Sequence, residues 1–220
     1  MNDAVIIVLL IAAAYLLGAV PVGLVVGRVK GIDIRSVGSG NIGATNVFRF
    51  VGKGWGIATF AADALKGFVP AFFFPMLAAD PFDVEGLFPV ICGCAAIIGH
   101  NWPVYLGFKG GKGVATTAGV LLGIAHSAVL IGLLVWAALM VTTRYVSVSS
   151  IGAAILIPVI GWILYMEDGL LLPIVLTLFG ILIVIRHHSN IARLINGSEN
   201  RFEFSGKHQG TRRDKRNGLT

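Results

Sequence analysis

Charged residues are scarce in this sequence. Lysine, arginine, aspartate and glutamate make up only 13% of the 220 residues, whereas 56% are hydrophobic; an ordinary soluble domain has roughly 25% and 45–50%. The composition therefore excludes an ordinary soluble protein and predicts a chain embedded in a bilayer. The apolar residues suffice for roughly six spans of ~20 residues, which leaves almost nothing for a separate soluble domain. We expect a single integral-membrane domain over residues 1–220.

Cysteine is also rare, and the first residues do not predict a secretory signal. Cys92 and Cys94 lie two apart in an apolar run, a spacing that points them to different faces of a helix and argues against a disulfide or a metal site. The start, Met1 to Asp3, lacks the positive region of a signal peptide, so the apolar run that follows is interpreted as a retained first span. The sequence has no obvious cluster of metal ligands, and we predict neither a metal nor a cofactor.

Long apolar runs predict the membrane helices. Five are clear, at about residues 4–27, 55–78, 86–106, 151–165 and 169–185. The stretch from Val114 to Val141 has no formal charge and as one helix would be ~42 Å long, more than a ~30 Å hydrocarbon core. Its middle, residues 123–127, suits a turn between two short helices. The predicted fold is an all-α polytopic membrane protein with seven transmembrane helices.

The distribution of charge supports seven spans. All lysines and arginines except Lys66 then lie on one side, which the positive-inside rule makes cytoplasmic. The other side carries Asp3, Asp80, Asp83, Glu85, Glu167 and Asp168. The N-terminus is therefore expected outside and the C-terminus in the cytoplasm, where residues 200–220 form a basic, flexible tail. No folded basic domain remains, so no nucleic-acid partner is expected.

Two glycine-rich stretches on the predicted cytoplasmic side suit anion binding. Residues 36–49 combine three glycines with hydroxyl and amide side chains and end at Arg49, whose guanidinium can bind phosphate through two hydrogen bonds. Residues 107–113 place Lys109 and Lys112 among four glycines before a helix, where exposed backbone N–H groups and the helix dipole favour phosphate. The spacing of a nucleotide-binding P-loop is absent. Polar turns carrying positive-inside charges are the alternative for both stretches.

Two further stretches add polar side chains on the same side. Residues 144–150 offer serine hydroxyls on a short connection; taken alone, this stretch favours capping of the next helix, and hydrogen bonding to a substrate oxygen is the alternative. His187, Asn190 and Arg193 are spaced by three, so on a helix they share one face. That face suggests substrate binding or proton handling, and a solvated face is the alternative.

One pair of ionisable residues is predicted inside the bilayer. Asp63 and Lys66 are three apart in the second span. Charged groups at such depth are costly and usually face the bundle interior in pairs. We expect these two side chains to pair with each other and to support the site.

These stretches, taken together and in this order, closely resemble the acyl-phosphate-dependent glycerol-3-phosphate acyltransferases of bacterial membranes, the PlsY family. The matching strings are GSGNIGATNVFR at 38–49, DALKG at 63–67, GHNWPVYLGFKGGKGVAT at 99–116 and HHSNIARLINGSE at 187–199. The resemblance implies transfer of a fatty acyl group from acyl phosphate to the sn-1 hydroxyl of glycerol 3-phosphate. The products would be lysophosphatidate and phosphate, in the first step of bacterial phospholipid synthesis.

The resemblance also implies a location, partners and site residues. The enzyme would lie in the bacterial inner (plasma) membrane with its active site facing the cytoplasm. Its partners would be glycerol 3-phosphate, long-chain acyl phosphate and membrane lipid, and the enzyme that makes acyl phosphate is a candidate. The implied catalytic residues are Ser39, Arg49, His187, Asn190 and Glu199. The implied substrate-binding residues are Asn41, Thr45, Asn46, His100, Lys109, Gly110, Gly111, Lys112, Gly113, Ser147 or Ser150, and Arg193. His188 stands where family members commonly carry arginine, so which imidazole acts is open.

The residues fit this chemistry. No nucleophilic cysteine or Ser–His–Asp arrangement is apparent, which favours direct attack by the glycerol hydroxyl. Either His187 or the phosphate of the acyl donor would accept the proton. An HxxxxD sequence, on which acyl-CoA-dependent relatives depend, follows none of the five histidines. A transporter for an organic phosphate is the main alternative, although no internal repeat is found; a structural or interaction protein would leave the polar loops unexplained.

Overall fold

The structure is a computed structural model that describes residues 3–78, 82 and 86–202. Every regular element within these ranges is a helix, as expected where lipid replaces water around the backbone. The α-helices are α1 Asp3–Ala19, α2 Val22–Val29, α3 Ala44–Phe50, α4 Lys53–Phe73, α5 Leu87–Asn101, α6 Val114–Ile124, α7 His126–Thr143, α8 Val146–Leu164, α9 Leu171–Arg186 and α10 His188–Ile195. Short 3₁₀ turns at Phe74–Leu77 and Val104–Leu106 follow α4 and α5.

Five helical segments of the described chain are long and apolar enough to cross a membrane. They are Asp3–Val29, Lys53–Leu77, Leu87–Leu106, His126–Thr143 and Val146–Leu164, and α9 with α10, bent by 55°, makes a sixth candidate. The prediction of an all-helical polytopic membrane protein is therefore confirmed. The seventh predicted span corresponds to α6, whose 11 residues extend only ~17 Å.

The long apolar stretch from Val114 is divided, as predicted. Helix α6 ends at Ile124 and α7 begins at His126, because Ala125 leaves the helical region with φ −148° and ψ 52°. The prediction of two short helices is wrong for the second one. Helix α7 has 18 residues and is long enough to span by itself.

The serine-rich segment is helical and does not form the predicted connection. Helix α8 begins at Val146, about five residues earlier than predicted, so Ser147 to Ser150 lie in its first turns. The N-cap is Tyr145, without a side-chain capping bond. Ser149 Oγ instead donates to the Tyr145 carbonyl at 3.0 Å. The favoured capping role is therefore wrong, because these hydroxyls follow the cap position.

Glycines set the close helix pairs that support the polar loops. A Cβ on Gly67 of α4 would lie 2.1 Å from the Thr116 carbonyl oxygen of α6, and one on Gly119 would lie 1.9 Å from the Ala64 carbonyl oxygen. Only glycine allows these two backbones to approach so closely. Helix α6 is thereby fixed against α4, and the start of α6 carries the loop with Lys109 and Lys112.

Some sequence predictions fall outside the described residues. Asp80, Asp83 and Glu85 of the acidic side are among them, as are residues 203–220 of the basic tail. The described start of that tail makes contacts: Phe202 N–H donates to the Arg144 carbonyl at 2.7 Å, and the rings of Phe202 and Phe48 lie 5.1 Å apart. Residues 200–202 therefore join the end of α7 to α3.

Candidate active site

A cleft of about 450 Å³ gathers most of the cationic side chains that the sequence analysis singled out. Its lining comes from the loop before α3, the loop before α6, and the junction of α9 and α10. The lining residues are Arg35, Ser39, Gly40, Asn41, Ile42, Phe108, Lys109, Gly110, Lys112, Arg186, Ser189 and Arg193. Five of these are lysine or arginine, and none of these described lining residues is acidic. Such a cleft concentrates anions and suits phosphate.

The loop before α3 is organised around Asn46. The Asn46 side chain is buried; its Nδ2 donates to the carbonyls of Ile34 at 2.9 Å and Val37 at 3.1 Å, and its Oδ1 accepts the Ser39 N–H at 3.3 Å. Asn46, predicted to bind substrate, thus holds the loop and is not part of the cleft lining. Ser39 and Asn41 do line the cleft.

The loop before α6 is fixed by its backbone. The N–H groups of Gly110 and Gly111 donate to the carbonyls of Asn101 at 3.2 Å and His100 at 3.1 Å. The expectation that these amides are exposed for phosphate is therefore wrong, because they fasten the loop to the end of α5. A Cβ on Gly111 would lie 2.1 Å from His100 Nε2, so only glycine allows the loop to pack this closely against His100. Lys109 and Lys112 of this loop present their side chains in the lining of the cleft.

Arg186, at the end of α9, secures the same loop from the other side. Its Nη2 donates to the Gly111 carbonyl and lies 3.4 Å from the Asn101 carbonyl, and its guanidinium lies 5.3 Å from the Trp102 ring centroid. Arg186 begins the fourth polar stretch and counts among the predicted cytoplasmic cations, but the sequence analysis did not name it as a site residue. A cation of the site and a positive-inside residue can both follow directly after an apolar span, so the position of Arg186 in the sequence does not distinguish the two roles.

Glu199 is the centre of a hydrogen-bonded network at the predicted third motif. It accepts from Ser147 Oγ at 2.9 Å, Asn190 Nδ2 at 2.6 Å and Arg193 Nε at 2.7 Å. Asn190 Oδ1 in turn accepts from Lys112 Nζ. Burial would raise the pKa of Glu199, but the bonds from Asn190, Arg193 and Ser147 together hold it below its ordinary value. The network joins α8, α10 and the loop before α6.

Lys112 titrates at a lower pH than an ordinary lysine. Burial, followed by the positive charge of Arg193, lowers the pKa of Lys112 to about 8, and the negative charge of Glu199 opposes that shift. Lys112 is therefore mostly protonated at neutral pH and lies between the network and the cleft. The cationic form is the one that binds phosphate.

His187 and His188 have different environments. His187 follows the last residue of α9 and is 3% exposed, whereas His188 is exposed. His187 Nδ1 lies 2.7 Å from the Ile183 carbonyl; since a carbonyl only accepts, Nδ1 carries the proton and Nε2 keeps its lone pair. Burial and the charge of Lys112 lower the pKa of His187 to about 4. His187 is thus neutral, and it does not line the cleft.

The remaining predicted residues lie around the cleft. Arg49 donates from Nη2 to the Asn200 carbonyl at 3.1 Å, and partly buried Thr45 lies in the first turn of α3. His100 is buried with Nδ1 3.8 Å from Asp63 Oδ1, below the loop and outside the cleft lining. The predicted pairing of Asp63 with Lys66 is confirmed at 2.7 Å, and Lys66 Nζ also donates to the Val20 carbonyl at 2.8 Å.

An apolar groove begins beside the cationic cleft. Helices α6 to α9 line a cavity of about 50 Å³ that is open on one side. Its lining residues are Val114, Thr117, Ala118, Leu121, Val129, Gly132, Leu133, Trp136, Ser150, Ala153, Ala154, Ile157, Leu176, Phe179, Gly180 and Ile183. Ser150 accepts from Trp136 Nε1 at 3.2 Å inside this groove. Of the two serines left open by the sequence, Ser147 therefore joins the polar network and Ser150 the apolar groove.

The fold and site define an integral membrane protein with a cationic cleft, suited to a phosphate-type group, near an apolar groove. The family model described as glycerol-3-phosphate acyltransferase matches residues 8–197, and the chain belongs to this family. It is an acyltransferase of glycerol 3-phosphate and takes part in phospholipid synthesis.

Individual relatives and solved structures agree with the family match. The glycerol-3-phosphate acyltransferase of Syntrophotalea carbinolica is 49% identical over 197 residues, covering 89% of this chain and 97% of that protein. Crystal structures of PlsY, an integral membrane glycerol 3-phosphate acyltransferase, are similar in fold. Its glycerol 3-phosphate form gives a TM-score of 0.82 at 40% identity, covering 90% of this chain and 96% of that one. Its lysophosphatidic acid form gives 0.79 at 39% identity, covering 90% and 95%.

Proposed function

We propose that this enzyme takes its acyl group from acyl phosphate and transfers it to the sn-1 hydroxyl of glycerol 3-phosphate. The products are lysophosphatidate and inorganic phosphate. The observation that carries the proposal is that the lining of the cationic cleft is followed closely by that of the apolar groove along two segments of the chain. Lys112 lines the cleft, and Val114, two residues later, lines the groove. Arg186 likewise lines the cleft, and Ile183, three residues earlier, lines the groove. A long-chain acyl phosphate has this division into a dianionic head and an apolar tail.

The groove suits the first part of a fatty acyl chain. The lining of the groove extends over seven residues, or about 10 Å, along each of two helices: from Val114 to Leu121 on α6 and from Ile183 back to Leu176 on α9. An extended chain advances about 1.25 Å per carbon, from C–C bonds of about 1.52 Å and angles near 111°, so the lined length corresponds to about eight carbons. The rest of a longer chain would extend toward lipid through the open side.

The proposed reaction is direct attack. The glycerol oxygen forms a bond to the acyl carbonyl carbon, the bond between that carbon and the phosphate oxygen breaks, and the hydroxyl proton leaves with the phosphate. We favour the donor's phosphate over His187 as proton acceptor, because His187 is 3% exposed and outside the cleft lining. Lys112 and Arg193 stabilise the charge on the leaving phosphate, while Ser39 and Asn41 face the acceptor.

Glu199, Asn190, Ser147 and Arg49 are proposed to position the site. Glu199 and Asn190 hold Arg193 and Lys112 in place through the network described above. Arg49 fastens the segment that carries Glu199 by binding the Asn200 carbonyl. Each group therefore acts on the two cations that meet phosphate.

The proposed topology has seven crossings, with the N-terminus outside, the C-terminus in the cytoplasm and the cleft facing the cytoplasm of a bacterial inner membrane. It rests on the positive-inside rule, with the short α6 as one crossing. The enzyme that makes acyl phosphate would then meet the cleft from the cytoplasmic side. A cysteine introduced at His126 should react with a membrane-impermeant thiol reagent in intact cells. Reaction only in inverted vesicles would contradict this topology.

The function is tested with purified protein in detergent. Glycerol 3-phosphate and palmitoyl phosphate should give lysophosphatidate and phosphate in equal amounts, and palmitoyl-CoA should give no product. Lys112→Ala, which removes a cleft cation, should reduce turnover by at least about 100-fold, by analogy with loss of one transition-state donor. Lys53→Ala, an exposed lysine outside the cleft lining, is the matched control. Product from palmitoyl-CoA but not from palmitoyl phosphate would overturn the proposed donor.

A further inference from the structure

Residues 197–202, here called the return segment, carry Glu199 away from the end of α10. The segment leaves the helix at Gly197, whose φ of +67° is left-handed. The N–H groups of Ser198 and Glu199 then donate to the Arg193 carbonyl at 2.8 Å and 3.1 Å. The Glu199 side chain is only 7% exposed. Helix α10 therefore fixes the start of the return segment, on one side of the buried carboxylate.

The other side of Glu199 is held by α3 and α7. Phe202 N–H donates to the Arg144 carbonyl, at the end of α7, at 2.7 Å. The Phe202 ring lies 5.1 Å from the ring of Phe48 on α3, with the two planes tilted by 43°. The Asn200 carbonyl accepts from Arg49 Nη2 at 3.1 Å. Two helices far away in sequence thus hold the three residues that follow Glu199.

Phe48 is a firm support for this contact. A Cβ on Gly56 of α4 would lie 2.4 Å from the Cβ of Phe48, so α3 packs closely against α4 at this point. Aromatic rings at such a centroid separation stabilise each other beyond the area that they bury. The Phe48–Phe202 contact is therefore an anchor for the return segment. It can be removed without unpairing a buried charge.

On the basis of the proposed function, in which Lys112 binds phosphate, we propose that Phe202 is a positioning residue for the reaction. Through its contact with Phe48, Phe202 keeps the Glu199 carboxylate in the site. Glu199 in turn orients Arg193 directly and Lys112 through an intervening amide. Without the anchor, the end of the return segment detaches, and the carboxylate moves away from the two cations.

Lys112 reports where the Glu199 carboxylate lies. Burial, and then the charge of Arg193, lower the pKa of Lys112, and Glu199 opposes them. The charged groups that face Lys112 are Glu199, Arg193 of α10, Arg186 of α9 and Arg49 of α3, with His187 nearby and neutral. Withdrawal of the carboxylate therefore makes Lys112 lose its proton at lower pH. A smaller amount of folded protein would leave this titration unchanged.

The pH dependence of kcat/KM and the titration of Lys112 itself test this assignment. Phe202→Ala should reduce kcat/KM for palmitoyl phosphate at pH 7 about fivefold, from the loss of one aromatic contact. The fall of kcat/KM at alkaline pH should begin at lower pH than in the wild type. In protein with lysine labelled by ¹³C at Cε, the Lys112 signal is assigned by its absence from Lys112→Arg. Without any substrate, this signal should titrate at lower pH in Phe202→Ala.

Two further variants identify the aromatic contact as the cause. Phe202→Tyr keeps the ring and should restore the wild-type kcat/KM and pH profile. Phe48→Ala removes the other ring and should shift the profile in the same direction as Phe202→Ala. The double variant should lose no more activity than the more affected single variant, because both changes break one contact.

The control is Phe60→Ala, which removes an exposed ring of α4 outside the linings of the cleft and the groove; it should match the wild type. Thermal unfolding of Phe202→Ala in detergent should stay close to that of the wild type. A wild-type Lys112 titration in Phe202→Ala, with or without an equal loss of activity at every pH, would overturn the positioning role. If the wild type is inactive with palmitoyl phosphate, the proposed function fails, and the Lys112 titration still decides whether Phe202 positions Glu199.

Discussion

Lys112 is expected to set the alkaline limit of activity. Its pKa of about 8 in the free protein arises from burial and the nearby charge of Arg193. The folded pKa is lowered, so the ammonium that binds phosphate is lost as the pH rises through about 8. The pH dependence of kcat/KM reports groups of the free enzyme. It should therefore be level from about pH 6.5 to 7.5 and then fall.

The magnitude follows from the titration of one group. Above its pKa, the protonated fraction of Lys112 drops tenfold per pH unit, so at pH 9.5 kcat/KM should be about 30-fold below the plateau. Phosphate monoesters complete their second ionisation near pH 6 and do not contribute to this fall. Lys112→Arg keeps the charge at all of these pH values. Whatever its plateau, its profile should stay level to pH 9.5.

The assay is phosphate release at low concentrations of both palmitoyl phosphate and glycerol 3-phosphate, measured from pH 6.5 to 9.5 at constant ionic strength. Lys53→Arg, at an exposed position outside the cleft lining, controls for the exchange of lysine for arginine elsewhere. Glu199→Gln should move the fall to lower pH, because the carboxylate raises the pKa of Lys112. A level wild-type profile to pH 9.5, or the same fall in Lys112→Arg, would refute this role of Lys112.

Three further substitutions test the packing around the site. Lys66→Met leaves Asp63 buried without its partner and should lower the free energy of unfolding by about 3–5 kcal/mol, measured in detergent. If the double variant Lys66→Met, Asp63→Asn is no more stable than Lys66→Met alone, the unpaired carboxylate is not the cause of the loss. Gly111→Ala places a methyl group 2.1 Å from His100 Nε2 and should reduce kcat/KM at least tenfold; wild-type activity would show that the loop can move. Ala118→Phe fills the groove one turn below its start and should reduce kcat/KM about tenfold with palmitoyl phosphate but not with butyryl phosphate; an equal loss with both would place the chain elsewhere.

Hydrophobic runs and charge placement predicted the helices because both act over whole segments. The break near residue 125 was found because 28 apolar residues exceed the bilayer thickness. The start of α8 was missed because Ser147, Ser149 and Ser150 are polar, and polarity was taken to end the helix. Their hydroxyls are satisfied by Glu199, Tyr145 and Trp136, respectively, none of which is visible in a local pattern.

Residue types predicted where the site lies better than they predicted which hydrogen bonds it forms. Lys109, Lys112, Ser39 and Asn41 do line the cleft, since cations and small polar groups in neighbouring loops converge on one side of the bundle. Backbone amides of the glycine loop were assigned to phosphate, but the end of α5 takes two of them. Arg35 was missed because, in sequence, a cation of the site looks the same as a topology signal.

The closeness of the cleft and groove linings along the chain supports the proposed reaction in a small helical bundle. Ile183 and Arg186 are three apart on one face of α9, so a single turn supplies both a wall of the apolar groove and a cation of the cleft. At the start of α6, Lys112 is likewise a cation of the cleft and Val114 part of the groove wall. A donor whose head and tail bind to adjacent residues has its reactive carbonyl held between them, at the level where the water-soluble acceptor enters. In the proposed reaction, orientation of one activated donor and its acceptor supplies much of the rate, and no covalent intermediate is needed.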